Sequence, residues 1–428
     1  MQHAEPRISL IEARPQTAAR RSLLCGAAVL AVLCAQPALA ESGTNDAELF
    51  SQDERFLQFG TNERNITLAP FIQLDGGYFD LKPGREDWNE DVNLARLYVY
   101  GSYDQFGGTF AYDFEDDVFP VRYGFVTWSP TDRLTFKLGQ QDEPFSLQDY
   151  SGSRFLPFAT AGQSAALIPG DNVGAVIAYG GENYSLMGGI FGGDVNTGVT
   201  DEGLAFTARA TFAPIYEQEQ ITRAGDATQD GVGTQRVENL LHLGAAISTR
   251  FDMEQAFSFS GSANSTLVGR SIASGPTFRD ADNLIRGNLE IARSIGSFSL
   301  QGELTGVSVE GPFGHGTAHG GYLYSTYFLT GERRGYDRSS GTFGRVIPKN
   351  PIDDGGFGAF EIGARIDYLD LTDLGPDGGA QFGLTGVANL YLTKRVTLTA
   401  DYSYTKGTAG PIDDQEVHAV TGRLQFAY

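Results

Sequence analysis

The feature that most constrains this chain is a two-residue alternation of apolar and polar side chains. It recurs in about sixteen segments between Ile66 and the C-terminus. In the segment NLARLYVYGSY, for example, the apolar Leu97 and Val99 alternate with Arg96 and Tyr98. Such alternation is typical of strands with one apolar and one polar face, and helical periodicity is nearly absent. The sequence therefore predicts an all-β fold.

The lengths and spacing of these segments favour a membrane barrel over a soluble β-protein. Many segments approach the nine to eleven residues with which a tilted strand crosses a bilayer. Short connections such as SPTD at Ser129 and GGEN at Gly180 alternate with longer polar ones, as in outer-membrane barrels. The last segment alternates up to the aromatic Tyr428, which is how such barrels typically end. We predict a transmembrane antiparallel β-barrel of about 16 strands over residues 66–428.

The N-terminal part of the chain has the pattern of a secretory signal. Four arginines precede an apolar run from Leu23 to Leu33, and the small residues Ala38 and Ala40 mark a cleavage site. The run is too short to cross a bilayer as a helix. We predict a signal peptide at 1–40, a mature chain beginning at Glu41, a polar arm at 41–65, and export to the outer membrane of a Gram-negative bacterium. An uncleaved interfacial anchor is the alternative.

Composition and motifs exclude several other classes of protein. Both cysteines, Cys25 and Cys34, lie in the predicted signal, so the mature chain has neither disulfides nor cysteine metal sites. The net charge of −22 argues against nucleic acid as a partner. We find no G-x-S-x-G elbow, no H-E-x-x-H and no P-loop, and therefore predict no cofactor and no metal site.

Two histidine arrangements bear on metal binding and catalysis. His315 and His319 are four residues apart, but the Gly-rich segment GHGTAHGG is predicted to be a loop, not the helix on which that spacing suits a metal. His242 is near Ser248 in the chain, and a hydrolase site built across strands would leave no local motif. An outer-membrane enzyme therefore stays open as an alternative.

A long connection between two strand-like segments runs from Gln140 to Asn172. It is longer than most loops of compact domains, and its seven aromatic or proline residues favour packing over solvation. Counted from a periplasmic N-terminus, it is the third external loop. We predict that it folds into the lumen and narrows the pore, with Asp142, Glu143 and Arg154 at the constriction.

Basic residues supply two further sets of pore candidates. The connection from Gly331 to Asn350 is locally basic in an acidic chain, and it is either a solvated turn or a second segment in the pore. Its candidates are Arg333, Arg334, Arg338 and Arg345. Strand parity adds a basic lining of the lumen: Arg96, Lys137, Arg209, Arg286, Arg365 and Arg423. The same faces carry carboxylates, so salt bridges that brace the wall are the alternative role of this lining.

Several blocks of the chain resemble the phosphate-selective porin O and P family. They include ARLYVYGSYDQFGGTFAYDFE from Ala95, LGQQDEPFSLQDYSGSRFLPF from Leu138 and YFLTGERRGYDRSSGTFGRVIPKNP from Tyr327. The resemblance implies a trimeric, sixteen-stranded outer-membrane channel for anions, in which the third external loop and a periplasmic turn enter the lumen. Asp142 stands where the family's loop usually has a lysine.

We therefore predict an outer-membrane porin for passive diffusion of small hydrophilic solutes, with anions such as phosphate or polyphosphate as the expected cargo. A general or cation-preferring porin is the first alternative, followed by an outer-membrane enzyme or an adhesive barrel. The expected partners are outer-membrane lipid and lipopolysaccharide, small anionic or polar solutes, and two further copies of the chain in a homotrimer.

Overall fold

The computed structural model describes residues 57–61, 64–82, 84–115, 120–198, 202–218, 235–410 and 414–428. The predicted signal peptide and most of the predicted arm lie outside these residues. Among the described residues, no helix is both long enough and apolar enough to cross a membrane.

The described part of the chain is dominated by sixteen long antiparallel strands. In chain order they are β1 (Arg64–Lys82), β2 (Arg85–Tyr103), β3 (Phe106–Asp113), β4 (Val121–Thr131), β5 (Leu134–Asp142), β6 (Asp171–Gly180), β7 (Tyr184–Phe191), β8 (Leu204–Gln218), β9 (Gln235–Met253), β10 (Ala281–Ile295), β11 (Phe298–Gly311), β12 (Gly314–Phe328), β13 (Ala359–Asp370), β14 (Ala380–Tyr391), β15 (Val396–Ala409) and β16 (Glu416–Ala427). Each segment with two-residue alternation in the sequence corresponds to one of these strands.

The strands close into a barrel because the first pairs with the last. Each strand pairs with its neighbours in sequence, and β1 pairs with β16 in a register that runs from Phe71 opposite Ala427 to Lys82 opposite Glu416. The closed sixteen-stranded antiparallel barrel confirms the predicted fold class. We call the edge at which β1 ends the upper edge, and the edge near the C-terminus the lower edge.

The ends of several strands differ from the sequence prediction. Strand β1 begins at Arg64, and the short strand Gln58–Gly60 of the predicted arm pairs with its first residues. His315 and His319 lie within β12, so the prediction of a loop there is wrong. The strand begins at Gly314, whose φ of 100° lets the chain turn there. Strands β8 and β9 also extend into the predicted 214–239 insertion, and residues 219–234 lie outside the described residues.

The two faces of the barrel wall have opposite chemistry. Large apolar side chains face outward, with Leu138 and Leu289 each 61% exposed. Buried polar side chains alternate with them on the inner face, among them Arg209, Glu290 and Glu303. This is the reverse of a water-soluble protein and is the pattern of a barrel in a membrane.

Three long connections make extensive contacts with this inner polar face. Two leave the upper edge, at residues 143–170 and 254–280, and one leaves the lower edge, at residues 329–358. The first contains the short helix Leu147–Ser151 and two 3-10 turns, Ser153–Phe155 and Gln163–Leu167. The second contains the strand pair Ser260–Ser262 and Ser271–Ser274, and the third contains Gly335–Asp337 paired with Thr342–Phe343.

Candidate functional site

The segment 143–170 is held to β11 by the carboxylate of Glu303. A helix leaves its first N–H groups without partners, and a carboxylate at that end satisfies them. Glu303 accepts hydrogen bonds from the Leu147 and Gln148 N–H groups at 3.0 and 2.8 Å and from the Ser146 hydroxyl at 2.8 Å. The Ser146 hydroxyl in turn accepts from the N–H of Asp149, which caps the helix. The sequence EPFSLQD therefore forms a capped turn docked on a buried charge.

Further along, the same segment contacts three more strands. Asn389 of β14 donates to the carbonyl of Pro157 at 2.8 Å, and the N–H of Ala159 donates to Asp401 of β15 at 3.1 Å. Arg365 of β13 donates to the carbonyl of Thr160 at 2.6 Å. Together with Glu303, these contacts join one connection to strands that are remote from β5 and β6 around the barrel.

A cavity of about 330 Å³ lies between this segment and β2 to β5. Its charged lining includes Arg122, Lys137 and Arg154 together with Asp142 and Asp149. Asp142 accepts hydrogen bonds from Arg122 at 3.1 Å and from the hydroxyl of Tyr123 at 2.5 Å. Lys137 donates to the hydroxyl of Tyr150 at 3.2 Å.

The surroundings of Asp149, an acidic group of this cavity, change its proton affinity. Burial raises the pKa of the Asp149 carboxyl well above its usual range, and the negative charge of Asp142 raises it further, against an opposing effect of Arg122. Unlike Asp142, the Asp149 side chain has no ion pair with a described residue. Its charge therefore depends on pH near neutrality.

A second, smaller cavity of about 30 Å³ lies toward the lower edge. No Asp or Glu side chain is among its lining residues. Five basic residues line it: Arg154, Arg345, Lys394, Arg395 and Arg423. Arg154 lines both cavities. Its guanidinium donates to the hydroxyl of Tyr100 at 3.3 Å and lies 5.0 Å from the ring centre of Tyr98, and it has no carboxylate partner among the described residues.

Most of the basic residues predicted to line the lumen are paired with carboxylates of the wall. Arg209 pairs with Glu290 at 2.8 Å, and the same carboxylate lies 3.0 Å from His242. The other pairs are Arg96 with Asp113 at 2.7 Å, Arg365 with Asp367 at 2.7 Å and Arg423 with Asp75 at 2.6 Å. Lys137 and Arg286 have no such pair within the described residues.

Glu143 lies away from the larger cavity. Its side chain is buried and accepts from Arg250 at 2.8 Å and from Asn172 at 2.8 Å, with Ser248 at 3.3 Å and Thr207 also in contact. It therefore joins the start of segment 143–170 to β6, β8 and β9.

The four basic candidates of the lower connection occupy different environments. Arg333 pairs with Glu238, and Arg338 is exposed, with its guanidinium 5.0 Å from the ring centre of Tyr216. Arg334 is buried and donates to Gln301 at 3.1 Å and to Tyr324 at 2.9 Å. Arg345 lines the smaller cavity and donates to the carbonyl of Ala427 at 2.7 Å, which joins it to the last strand. The structure does not bring the four together.

The candidate hydrolase pair is not assembled either. His242 and Ser248 lie on the same strand, and six residues of strand span about 20 Å. His242 contacts Glu290 and Tyr336, whereas Ser248 contacts Thr207 and Glu143.

Sequence reasoning missed Arg122 because of a β-bulge. Ala111 pairs with Tyr123 and Tyr112 pairs with Val121, so Arg122 is an extra residue without a partner in β3. A bulge changes the direction of a side chain, whereas parity counted back from the outward-facing Val126 would place Arg122 on the lipid side. No signal in the sequence marks the bulge.

The connection 254–280 was also missed, although it contacts the inner face as closely as segment 143–170 does. Asn264 donates to Asp367 at 3.0 Å, and Thr266 donates to Asp75 at 2.6 Å. Leu267 is 2% exposed and packs with Phe79 and its neighbours. The apolar residues of this connection, from Ala263 to Ile272, were the available signal.

Comparison with known proteins identifies the class of this barrel. A family model described as phosphate-selective porin O and P matches residues 75–428. The chain belongs to this family. The resemblance seen in the sequence is thereby confirmed, and the chain is an outer-membrane porin. A relative from Caulobacter vibrioides, described as an uncharacterized protein, is 26% identical over 419 residues, which cover 89% of this chain and 77% of the relative.

Solved structures of other proteins share the fold of this porin at low sequence identity. An anion-selective porin from Comamonas acidovorans has a TM-score of 0.53 and 13% identity, with 86% of this chain and 100% of that chain covered. OprB from Pseudomonas putida has a TM-score of 0.52 and 9% identity, with 86% and 94% covered. OmpT from Vibrio cholerae has a TM-score of 0.51 and 10% identity, with 87% and 100% covered. At such identities, the comparisons describe the barrel and not its solute.

Proposed function

We propose that this porin is a passive, anion-preferring diffusion channel in which segment 143–170 narrows the lumen and Arg154 contacts the solute. With the C-terminal edge on the periplasmic side, as is usual for outer-membrane barrels, this segment is the third external loop. Solutes move down their gradient, and no reaction is catalysed.

The observation that carries the proposal is the position of Arg154. It belongs to segment 143–170, lines both interior cavities, and has no carboxylate partner among the described residues. Its charge is therefore available to a passing anion, whereas the charges of Arg96, Arg209 and Arg365 are compensated by the wall. A loop inside a barrel sets the narrowest point, so an uncompensated arginine there weighs more than several on the wall.

The charges beside Arg154 favour an anion with several oxygens. On the external side it shares a cavity with Lys137 and Arg122, and on the periplasmic side it shares one with Arg345 and Arg395. A guanidinium offers paired donors to phosphate oxygens, and a succession of such groups can replace the hydration of the ion. Phosphate and polyphosphate are therefore the proposed solutes, in agreement with the family's description.

A general or cation-preferring porin is the second candidate. Asp142 and Asp149 line the larger cavity, and the whole chain has a net charge of −22. Asp142 is engaged by Arg122 and Tyr123, and burial favours the neutral form of Asp149, so neither acts as a full free charge. This is why we favour the anion channel.

The test is the reversal potential of single channels in planar bilayers under a KCl gradient. For the unchanged protein we expect anion preference and a reduction of the chloride current by added phosphate. In Arg154→Gln we expect the reversal potential to shift toward cation preference and the reduction by phosphate to become smaller. Arg270→Gln is the matched control, because Arg270 is an exposed arginine of the connection 254–280 that lines neither cavity. The absence of ohmic conductance would refute the channel. Cation preference of the unchanged protein would refute the anion assignment alone.

The assembly and location complete the proposal. We propose cleavage after Ala40, and a homotrimer whose outward apolar faces contact outer-membrane lipid and lipopolysaccharide. Family membership supports the trimer, and the exposed Leu138 and Leu289 support the lipid contact. The mass of the purified particle in detergent tests the homotrimer, and the N-terminal sequence of the purified protein tests the cleavage after Ala40.

A further inference from the structure

Arg286 differs from the other buried arginines of the barrel wall. It lies on the inner face of β10 and is 9% exposed. Its Nε donates to the carbonyl of Leu167 at 3.0 Å, and its Nη1 is buried without a hydrogen-bond partner among the described residues. Among the residues that the structure describes, no carboxylate lies within ion-pair distance of the Arg286 guanidinium.

An uncompensated charge of this kind is costly to bury. For Arg209, Arg365 and Arg423 part of this cost is offset, because each has a carboxylate of the wall at hydrogen-bond distance. Glu143 acts on Arg286 only through space, and its carboxylate is already bound by Arg250 at 2.8 Å. A buried arginine left in this state is expected where a ligand supplies the anion.

Arg286 lines a cavity of about 330 Å³ near the external edge. Much of the remaining lining is apolar: Ala166, Ile168, Pro169, Met253, Phe257, Phe259 and Leu284. The rings of Phe257 and Phe259 meet edge to face, with their centres 5.7 Å apart. The cavity thus combines one unpaired cation with an aromatic wall, which suits a ligand with a single anionic group and an apolar body.

The acidic residues of the cavity narrow the choice of anion. Asp171 is paired with Arg122. Asp194 and Glu202 instead accept hydrogen bonds from neutral groups: the Gln140 amide donates to Asp194 at 2.8 Å, and the N–H of Asp194 donates to Glu202. Two carboxylates without cationic partners among the described residues repel a dianion more strongly than a monoanion. Phosphate is therefore disfavoured here, in contrast to its expected passage at Arg154.

We propose that this cavity binds a small organic monocarboxylate, with the carboxylate on Arg286 and the apolar body against Phe257 and Phe259. The site is separate from the two cavities that Arg154 lines. Binding there does not require conduction, so the proposal goes beyond the channel function and does not depend on it.

The experiment follows 4-fluorobenzoate by ¹⁹F NMR with the full-length purified porin in detergent micelles. We expect saturable line broadening in the presence of the protein and at least a tenfold loss of affinity in Arg286→Gln, since a charge-assisted pair is lost. Arg270→Gln is expected to bind as the unchanged protein does, because Arg270 does not line this cavity. Equal affinity of Arg286→Gln and the unchanged protein would overturn the proposal.

A competition measurement on the unchanged protein keeps the proposal testable if Arg286→Gln fails to fold. Unlabelled benzoate is expected to displace 4-fluorobenzoate, and phosphate at the same concentration is not. If phosphate displaces 4-fluorobenzoate as effectively as benzoate does, the cavity binds anions without preference for an apolar body, and the assignment to a monocarboxylate is refuted. A porin that lacks conductance but binds 4-fluorobenzoate would separate failure of the channel proposal from failure of this one.

Discussion

Replacing Glu303 by glutamine is expected to release the start of segment 143–170 from the barrel wall. The Glu303 carboxylate is 2% exposed and accepts three hydrogen bonds from that segment, two from backbone N–H groups and one from the Ser146 hydroxyl. Asn288 and Tyr322 of the wall also donate to it. All five partners are donors, which only a carboxylate can satisfy together.

The size of the effect follows from the geometry of these bonds. A hydrogen bond to a charged group contributes about 1.5 to 3 kcal/mol. Glutamine keeps one oxygen and replaces the other by an amide, which donates instead of accepting. The Oε2 atom of Glu303 accepts hydrogen bonds from Ser146, Leu147 and Asn288. Its Oε1 atom accepts hydrogen bonds from Gln148 and Tyr322. Loss of two of the three bonds to the segment would therefore weaken its docking by about 3 to 6 kcal/mol.

Single-channel recording in planar bilayers measures the effect of this release, because in the proposed function segment 143–170 narrows the lumen and its release would widen the path. Glu303→Gln is expected to raise the conductance and to speed cleavage of the segment by added protease. Glu310→Gln is the control, since Glu310 lies at the exposed end of the same strand. If Glu303→Gln folds and leaves both conductance and cleavage as they are, the segment does not obstruct the path, and the role given to Glu303 is wrong.

Two further perturbations test other parts of the interior. Because the raised pKa of Asp149 means that the group gains a proton as the pH falls, anion preference is expected to increase between pH 8 and pH 5 as a negative charge leaves the cavity. Reversal potentials of Asp149→Asn should show a smaller pH dependence, and an unaltered one would place the titrating group elsewhere. Leu267→Ala is expected to lower the free energy of unfolding by about 2 to 5 kcal/mol, because it leaves a cavity beside Phe79. Urea unfolding checks this, and a loss below about 1 kcal/mol would show that connection 254–280 is loosely held.

The barrel could be predicted from the sequence because its signal is local. Each strand shows its own alternation, as in the segment around Leu97, and a two-residue period leaves little choice about which face meets lipid. The closed sixteen-stranded sheet follows from repeating that pattern to Tyr428. The prediction was wrong at His315 and His319, because the many glycines of that segment are typical of a loop although the backbone continues as a strand.

The interior could be predicted only in part, because its contacts join residues far apart in the chain. The Glu303 anchor of segment 143–170 lies more than 150 residues beyond it, and nothing in EPFSLQD indicates which carboxylate it meets. Arg122 faces the larger cavity because of one extra residue in β4, which composition does not reveal. Strand parity treats all inward basic residues alike, so it could not tell Arg365, which pairs with Asp367, from Arg286, which has no such pair within the described residues.

The connection 254–280 has a consequence for the order in which the barrel is completed. Its Thr266 donates to Asp75 of β1, and its Ser265 lies 3.1 Å from Thr421 of β16, so two adjacent residues touch both sides of the seam between the first and last strands. The seam itself is joined by Arg423 with Asp75 and by the amides of Gln73 and Gln425. Seating of this connection and closure of the cylinder thus stabilise each other. Before β1 pairs with β16, this connection can contact only one side of the seam.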